Sequence, residues 1–253
     1  MPDCTLPHPQ GSVAWLDTLL ATEQEYLEFY QPLFGWTGEA DPADTETRYA
    51  VQHVHGKAVA GIGHMAEEHP MMPWTGYFSV RDAEAAVARI PELGGTVICE
   101  AMNAGEMGRF AHGIDPGGAA FGMWQALSFA GFQVYGEPGC LAWLELVTTE
   151  GKASADFYGA LFGAEVEAME EMPDSYWTLN VEGQPRAGIF RVDEIDKAHW
   201  RPYFQVADVD ISVAAALAAG AHVTDPVADT PFGRMAGLKD PNGIEFKLVL
   251  PPA

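Results

Sequence analysis

The sequence predicts an α+β protein made of two tandem copies of one domain, each copy built from two βαβββ units. Three observations carry this. The chain matches itself: Ala14, Trp15, Leu16, Phe29, Tyr30, Leu33, Phe34 and Gly35 recur as Ala142, Trp143, Leu144, Phe157, Tyr158, Leu161, Phe162 and Gly163 without a gap. The hairpin DPGG at Asp115 returns as DPNG at Asp240, each followed by an apolar strand. Within each copy, period-2 and helix-period segments alternate in the order strand, helix, strands, twice over.

Each element of the first copy has a local cause. Val13 to Leu19 is apolar and β-compatible, hence a strand. Thr22 with Glu25 forms a capping-box pattern that starts a helix. Tyr26, Phe29, Tyr30, Leu33 and Phe34 give that helix one apolar face, and Gly35 can end it. A short strand is expected near Trp36, then strands from Tyr49 to Val54 and Ala58 to Met65, turning at His55-Gly56. The second unit runs from a strand at Gly76 to Val80 into a helix capped by Asp82, bearing Val87 and Ile90 and stopped by Gly94-Gly95. Strands Thr96 to Glu100, Gly108 to Ile114 and Ala119 to Gln125 follow. In the hairpins, Pro presets φ, Asp caps the turn and Gly accepts positive φ. The repeat places one domain at 11–127, a linker at 128–138, where SFAGFQVYGEP has little helical pattern, and the other domain at 139–252.

Composition narrows the function. The chain has 253 residues with 36 acidic and 13 basic ones, a formal net charge of −23. Such a field repels phosphate backbones and anionic lipid heads, so neither nucleic acid nor membrane is an expected partner. No apolar run reaches the ~18 residues a span needs, and the N-terminus lacks a secretory pattern. Cys4, Cys99 and Cys140 are odd in number and scattered, which fits a reducing cytoplasm. No phosphate loop, dinucleotide fingerprint or Ser-His-Asp order is present.

Four βαβββ units, an aromatic Phe-Tyr on the first helix of each copy and a DPxG hairpin before each last strand resemble the vicinal oxygen chelate superfamily. The resemblance covers Gly11 to Pro251 and is similar to the two-domain glyoxalase/bleomycin resistance/dioxygenase proteins. It implies cups that hold a divalent metal through His, His and Glu on the first strand of each unit and on the last strand. Carried over, those places fall on Trp15 and Trp143, near Thr75 and Arg201, and on Gly122 and Lys247, none of them a usual ligand. A register two residues away would bring Glu245 to the last place, with no histidine partner expected. The prediction is therefore no metal ligand and no cofactor. The alternative is one divalent ion (Zn, Fe, Ni or Mn) held by a different set, with His112 and Glu100 or Glu106 as candidates. His53, His55, His64 and His69 are read as surface or turn histidines.

Strand alternation gives the cup linings. Trp15, Asp17, Thr75, Tyr77, Gly122 and Trp124 would make an aromatic pocket in the first copy, with Gly122 leaving room for a ligand ring. Trp143, Glu145, Arg201, Tyr203 and Lys247 would make a more charged cup in the second. The expected function is metal-independent binding of a small aromatic or cationic molecule. The alternatives are a metal-dependent lyase, isomerase or dioxygenase, and an interaction or signalling scaffold. Fused copies can form their cups internally, so a monomer or weak homodimer is expected. Arg109 and Arg234, each after a glycine before a hairpin, are expected in structural ion pairs.

Overall fold

The computed structural model describes residues 7–65 and 72–252. The first half supplies β1 (Val13–Leu20), α1 (Glu23–Phe34), β2 (Ala50–Val54), β3 (Lys57–His64), β4 (Met72–Ser79), α2 (Ala83–Glu92), β5 (Thr96–Ala104), β6 (Gly108–Ile114) and β7 (Ala120–Ala126). They form one sheet in the order β2-β3-β1-β4-β7-β6-β5. The pair β1 and β4 at its centre is antiparallel, while β1–β3 and β4–β7 are parallel, as two βαβ-type units joined side by side require.

The second half repeats the plan with β8 (Leu141–Thr148), α3 (Gly151–Phe162), β9 (Glu165–Ala168), β10 (Tyr176–Val181), β11 (Gln184–Arg191), β12 (His199–Gln205), α4 (Val209–Ala218), β13 (His222–Thr230), β14 (Gly233–Lys239) and β15 (Glu245–Leu250). Its eight-stranded sheet runs β13-β14-β15-β12-β8-β11-β10-β9. The extra strand is β9. In the first half its counterpart near Trp36 is reduced to a single bridge between Thr37 and His53.

Local signals mostly act as the residues suggest. Gly35 and Gly163 end α1 and α3 in the left-handed conformation, at φ 67° and 71°. Asp82 and Asp208 cap α2 and α4 through their side chains, accepting from Ala85 N and Ile211 N at 3.0 Å. The capping box at Thr22 does not form: Thr22 makes no side-chain cap. Its expected partner Glu25 instead donates its backbone N–H to the Thr22 carbonyl, and acidic Glu23 at the helix start pairs with Arg48 and His64. The strand expected to stop at Glu100 continues to Ala104, because β5 is an edge strand whose ladder to β6 persists across two register shifts. Cys99 and Cys140 are free thiols; Cys4 and His69 lie outside the described residues.

The halves hold each other through their first helices. Phe29, Tyr30 and Phe34 of α1 pack on Phe204 and Phe246 of the second sheet, with ring centroids 4.6–6.4 Å apart. Phe157, Tyr158 and Phe162 of α3 pack on Phe78 and Phe121 of the first sheet at 4.7–6.1 Å. Burial of each such ring contributes about 1.5–3 kcal/mol. The hairpin aspartates join this exchange. Asp240 takes backbone N–H groups of Asn242 and Ile244 on one oxygen and the Tyr30 hydroxyl, 2.9 Å away, on the other. Asp115 takes the Ala119 N–H at 2.7 Å, and the Tyr158 hydroxyl of the other half takes the Trp200 indole N–H at 3.2 Å. Each DPxG turn is thus a hairpin cap and a socket for the opposite helix. Phe204 and Phe246 point into this interface, so their neighbours Tyr203 and Lys247 face the other side, into the cup.

Candidate functional site

Both cups are built on the same hydrogen-bonded chain. In the first, Trp15 and Asp17 share the inner face of β1, and Tyr49, just before β2, reaches between them. The Trp15 indole donates to the Tyr49 hydroxyl at 2.7 Å, which donates to Asp17 Oδ2 at 3.0 Å. Thr75 stands opposite Asp17 and Tyr77 opposite Trp15 in the antiparallel register. The Tyr77 hydroxyl lies 2.9 Å from His112 Nε2. Burial raises the Asp17 carboxyl to a pKa of about 7, against the smaller downward pull of the Tyr49 and Tyr77 hydroxyls. Burial also drops His112 to about 4, so it is a neutral imidazole at physiological pH.

This first cup is closed. Thr75 is 3 % and Trp124 8 % exposed, with Trp15, Asp17 and Tyr77 in between. The cover is the chain's own 128–138 segment. Phe129 and Phe132 set their rings 5.0 and 5.4 Å from the Trp15 ring, and the Trp124 indole donates to the Phe129 carbonyl at 3.0 Å. Gln133 ties the segment to Ala58 by a backbone bond of 2.9 Å and a side-chain bond of 2.8 Å. The room expected at Gly122 is filled: a Cβ there would fall 2.4 Å from the Tyr77 ring. The aromatic pocket read from the sequence is thus a packed one, because two linker phenylalanines supply the rings a ligand would have brought.

The second cup is open. Trp143 donates to the Tyr176 hydroxyl at 3.0 Å, reproducing Trp15 and Tyr49. Glu145 replaces Asp17, and Tyr203 donates to its Oε2 at 2.8 Å. Arg201, opposite Glu145 in the ladder, puts Nη2 2.6 Å from the same oxygen and Nη1 3.6 Å from Glu245. Burial works against the Arg201 charge, but Glu145, Tyr203 and Glu245 together outweigh it and the guanidinium pKa rises. Lys247, opposite Tyr203 on β15, holds its ammonium 5.3 Å from the Tyr203 ring centre and 3.3 Å from Asp225. Above this floor opens a cavity of about 580 Å³, walled by Trp143, Met169, Met172, Tyr176, Phe190 and Met235.

The residues at the inherited metal places do not fit a divalent ion. In the first cup they are an indole, a hydroxyl and a glycine. In the second, a guanidinium sits between the two carboxylates. The alternative register does bring a histidine, contrary to expectation: His199 Nε2 lies 3.2 Å from Glu245 Oε2. That contact holds Glu245 well below the usual carboxylate range. Arg201, however, fills the space between Glu245 and Glu145. Among the described residues no three His, Cys, Asp or Glu side chains converge in a way that could hold a metal ion. His112 faces Tyr77 rather than Glu100 or Glu106, which are exposed. His53 is half-buried at the Thr37 bridge, His55 occupies a turn at φ 50°, and His64 contacts Glu23. Arg109 pairs with Glu84, and Arg234 with Asp210 and Asp229, as structural ion pairs.

Sequence reasoning missed Tyr49 and Tyr176, which carry the same role in both halves; extending the repeat to these strands would have found them. It also missed the methionine and phenylalanine wall, which comes from β9–β11 and the β13–β14 region.

Comparison with known proteins agrees with this architecture. Residues 143–249 match the model of the glyoxalase-like domain family. CFP32 of Mycobacterium bovis, a protein provisionally named a glyoxylase, is 34% identical over 249 residues, covering 96% of this chain and 95% of its own. The chain belongs to the glyoxalase-like, vicinal oxygen chelate superfamily. The anthracycline biosynthesis protein DnrV of Streptomyces peucetius is also 34% identical, over 94% of this chain and 93% of its own. Among solved structures, a catechol 2,3-dioxygenase superposes with a TM-score of 0.66 at 12% identity, covering 97% of this chain and 90% of that one. The Mn(II)-bound glyoxalase of Novosphingobium aromaticivorans gives 0.65 at 15% identity, covering 95% and 82%. At such identities these two share the fold. Among the described residues, no helix is long and apolar enough to cross a membrane.

Proposed function

We propose that this member of the superfamily binds a small, flat aromatic molecule in its second cup, without a metal ion. The observation that carries the reading is the cavity of about 580 Å³, whose walls are Trp143, Tyr176, Phe190 and three methionines while its floor is polar and hydrogen-bonded. Concave, largely apolar pockets with a few convergent polar groups are what small-molecule sites look like. Methionine walls adapt to ring shape and make favourable sulfur–aromatic contacts. The volume suits a bicyclic or tricyclic ring system. The printed name of DnrV, which links a relative to anthracycline biosynthesis, agrees with a polycyclic ligand. Of the two ligand classes expected from sequence, the aromatic one is favoured over the cationic one, because the carboxylate on the floor, Glu145, is already matched by Arg201.

The test is calorimetric titration with a panel of naphthoquinones and anthraquinones. Saturable one-to-one binding with quenching of tryptophan emission is expected, weakened about tenfold or more in Trp143→Ala. Binding that persists unchanged in Trp143→Ala but disappears in Trp15→Phe would move the site to the first cup. Failure of the whole panel to bind would remove the aromatic reading.

A further inference from the structure

Resting on the reading of the second cup as an aromatic site, we propose that its ligand carries an ionised oxygen, and that Lys247 is the residue that reads it, supported by Arg201. Four observations lead there. Cations are scarce in this chain, 13 Lys and Arg against 36 acidic residues, yet two of them line this one cavity. The corresponding places in the first cup hold Thr75 and Gly122, so neither cation is demanded by the fold.

The two cations are also held differently. Arg201 is fixed by Glu145 and Glu245, and its Nε–H is buried with no hydrogen-bond partner. Lys247 is only 15 % exposed, yet its ionic partner Asp225 is 55 % exposed on an edge strand. That pair is screened by solvent and weak. The Lys247 ammonium has three N–H donors and sits over the Tyr203 ring beneath apolar walls. A ligand oxyanion entering from the cavity would take donors that Asp225 does not need, in a charge-assisted bond. The chemical class is an aromatic carboxylate, phenolate or enolate. Recognition then rests on the Lys247 ammonium and the Arg201 guanidinium, which line the cavity.

The experiment compares anthraquinone-2-carboxylate with anthraquinone-2-carboxamide, equal in shape and differing in charge, by calorimetry at pH 7 and low salt. Wild type is expected to favour the carboxylate at least tenfold. Lys247→Met should abolish that preference, and Lys247→Arg should restore most of it. Hydroxyanthraquinones titrated across their own pKa extend the test to phenolates. Equal affinity of the two probes for wild type, or a preference that survives in Lys247→Met, would overturn the inference and leave the aromatic cup intact. Absence of binding by both probes would overturn the cup reading and this inference together.

Discussion

The two cups are a natural experiment in what a single charge does to a shared scaffold. Trp15, Tyr49, Asp17 and Tyr77 in one half match Trp143, Tyr176, Glu145 and Tyr203 in the other, bond for bond at the tryptophan–tyrosine step. In the second cup Arg201 sits 2.6 Å from the carboxylate. In the first, Thr75 stands in its place, and burial without a cation pushes Asp17 up to about 7. The cation-free cup is covered by the chain's own Phe129 and Phe132; the cation-bearing cup stays open. A buried carboxylate can be kept either by neutralising it with a proton under a dry lid or by pairing it beneath an accessible cavity. Only the second solution leaves space for a ligand.

The comparison breaks most violently at Arg201. Arg201→Met leaves Glu145 buried without its cation and should destabilise by about 3–5 kcal/mol in urea unfolding, whereas Glu145→Gln combined with Arg201→Met should recover most of that loss. Equal losses in the single and double variants would show that Arg201 acts through packing alone.

Asp17→Asn comes next and is pH-dependent. The folded pKa of about 7 lies above the ordinary 3.8, so the fold favours the protonated acid. That contribution is complete below about pH 4 and is lost as pH rises through 7. Wild type should therefore lose about 2–4 kcal/mol relative to Asp17→Asn between pH 4 and 8. Parallel stability profiles of the two proteins would contradict a protonated Asp17.

Phe129→Ala removes part of the lid, should cost about 1–2 kcal/mol, and should make Trp15 accessible to acrylamide quenching. The smallest effects lie between the halves: Tyr30→Phe and Tyr158→Phe each delete a hydroxyl facing a hairpin aspartate and should each cost about 1–2 kcal/mol in thermal or chemical unfolding. A large difference between them would break the reciprocity of the two sockets.

Much of this was legible in the residues. The duplication, the sheet-forming units and the inward faces of β1, β4, β8 and β12 follow from self-similarity and the two-residue period of strands. What escaped were the contacts that join distant segments. Asp115 and Asp240 were read as turn caps, which they are, but Asp240 also takes a partner from the opposite half; Tyr30 and Asp240 are 210 residues apart. Segment 128–138 has no periodicity, so its role as a lid was invisible, although its two phenylalanines were a clue. Which cup is open therefore could not be read from the linings, whose aromatic character is alike. His199 beside Glu245 was missed because the register was judged one strand at a time.

A crystal structure of the protein soaked with anthraquinone-2-carboxylate would locate the ligand. The expectation is the ring system between Trp143 and the methionine wall of the second cup, with its carboxylate on Lys247 and with Phe129 and Phe132 still seated on Trp15. A ligand found instead against Trp15 and Asp17, with segment 128–138 displaced, would contradict it and make the first cup the site.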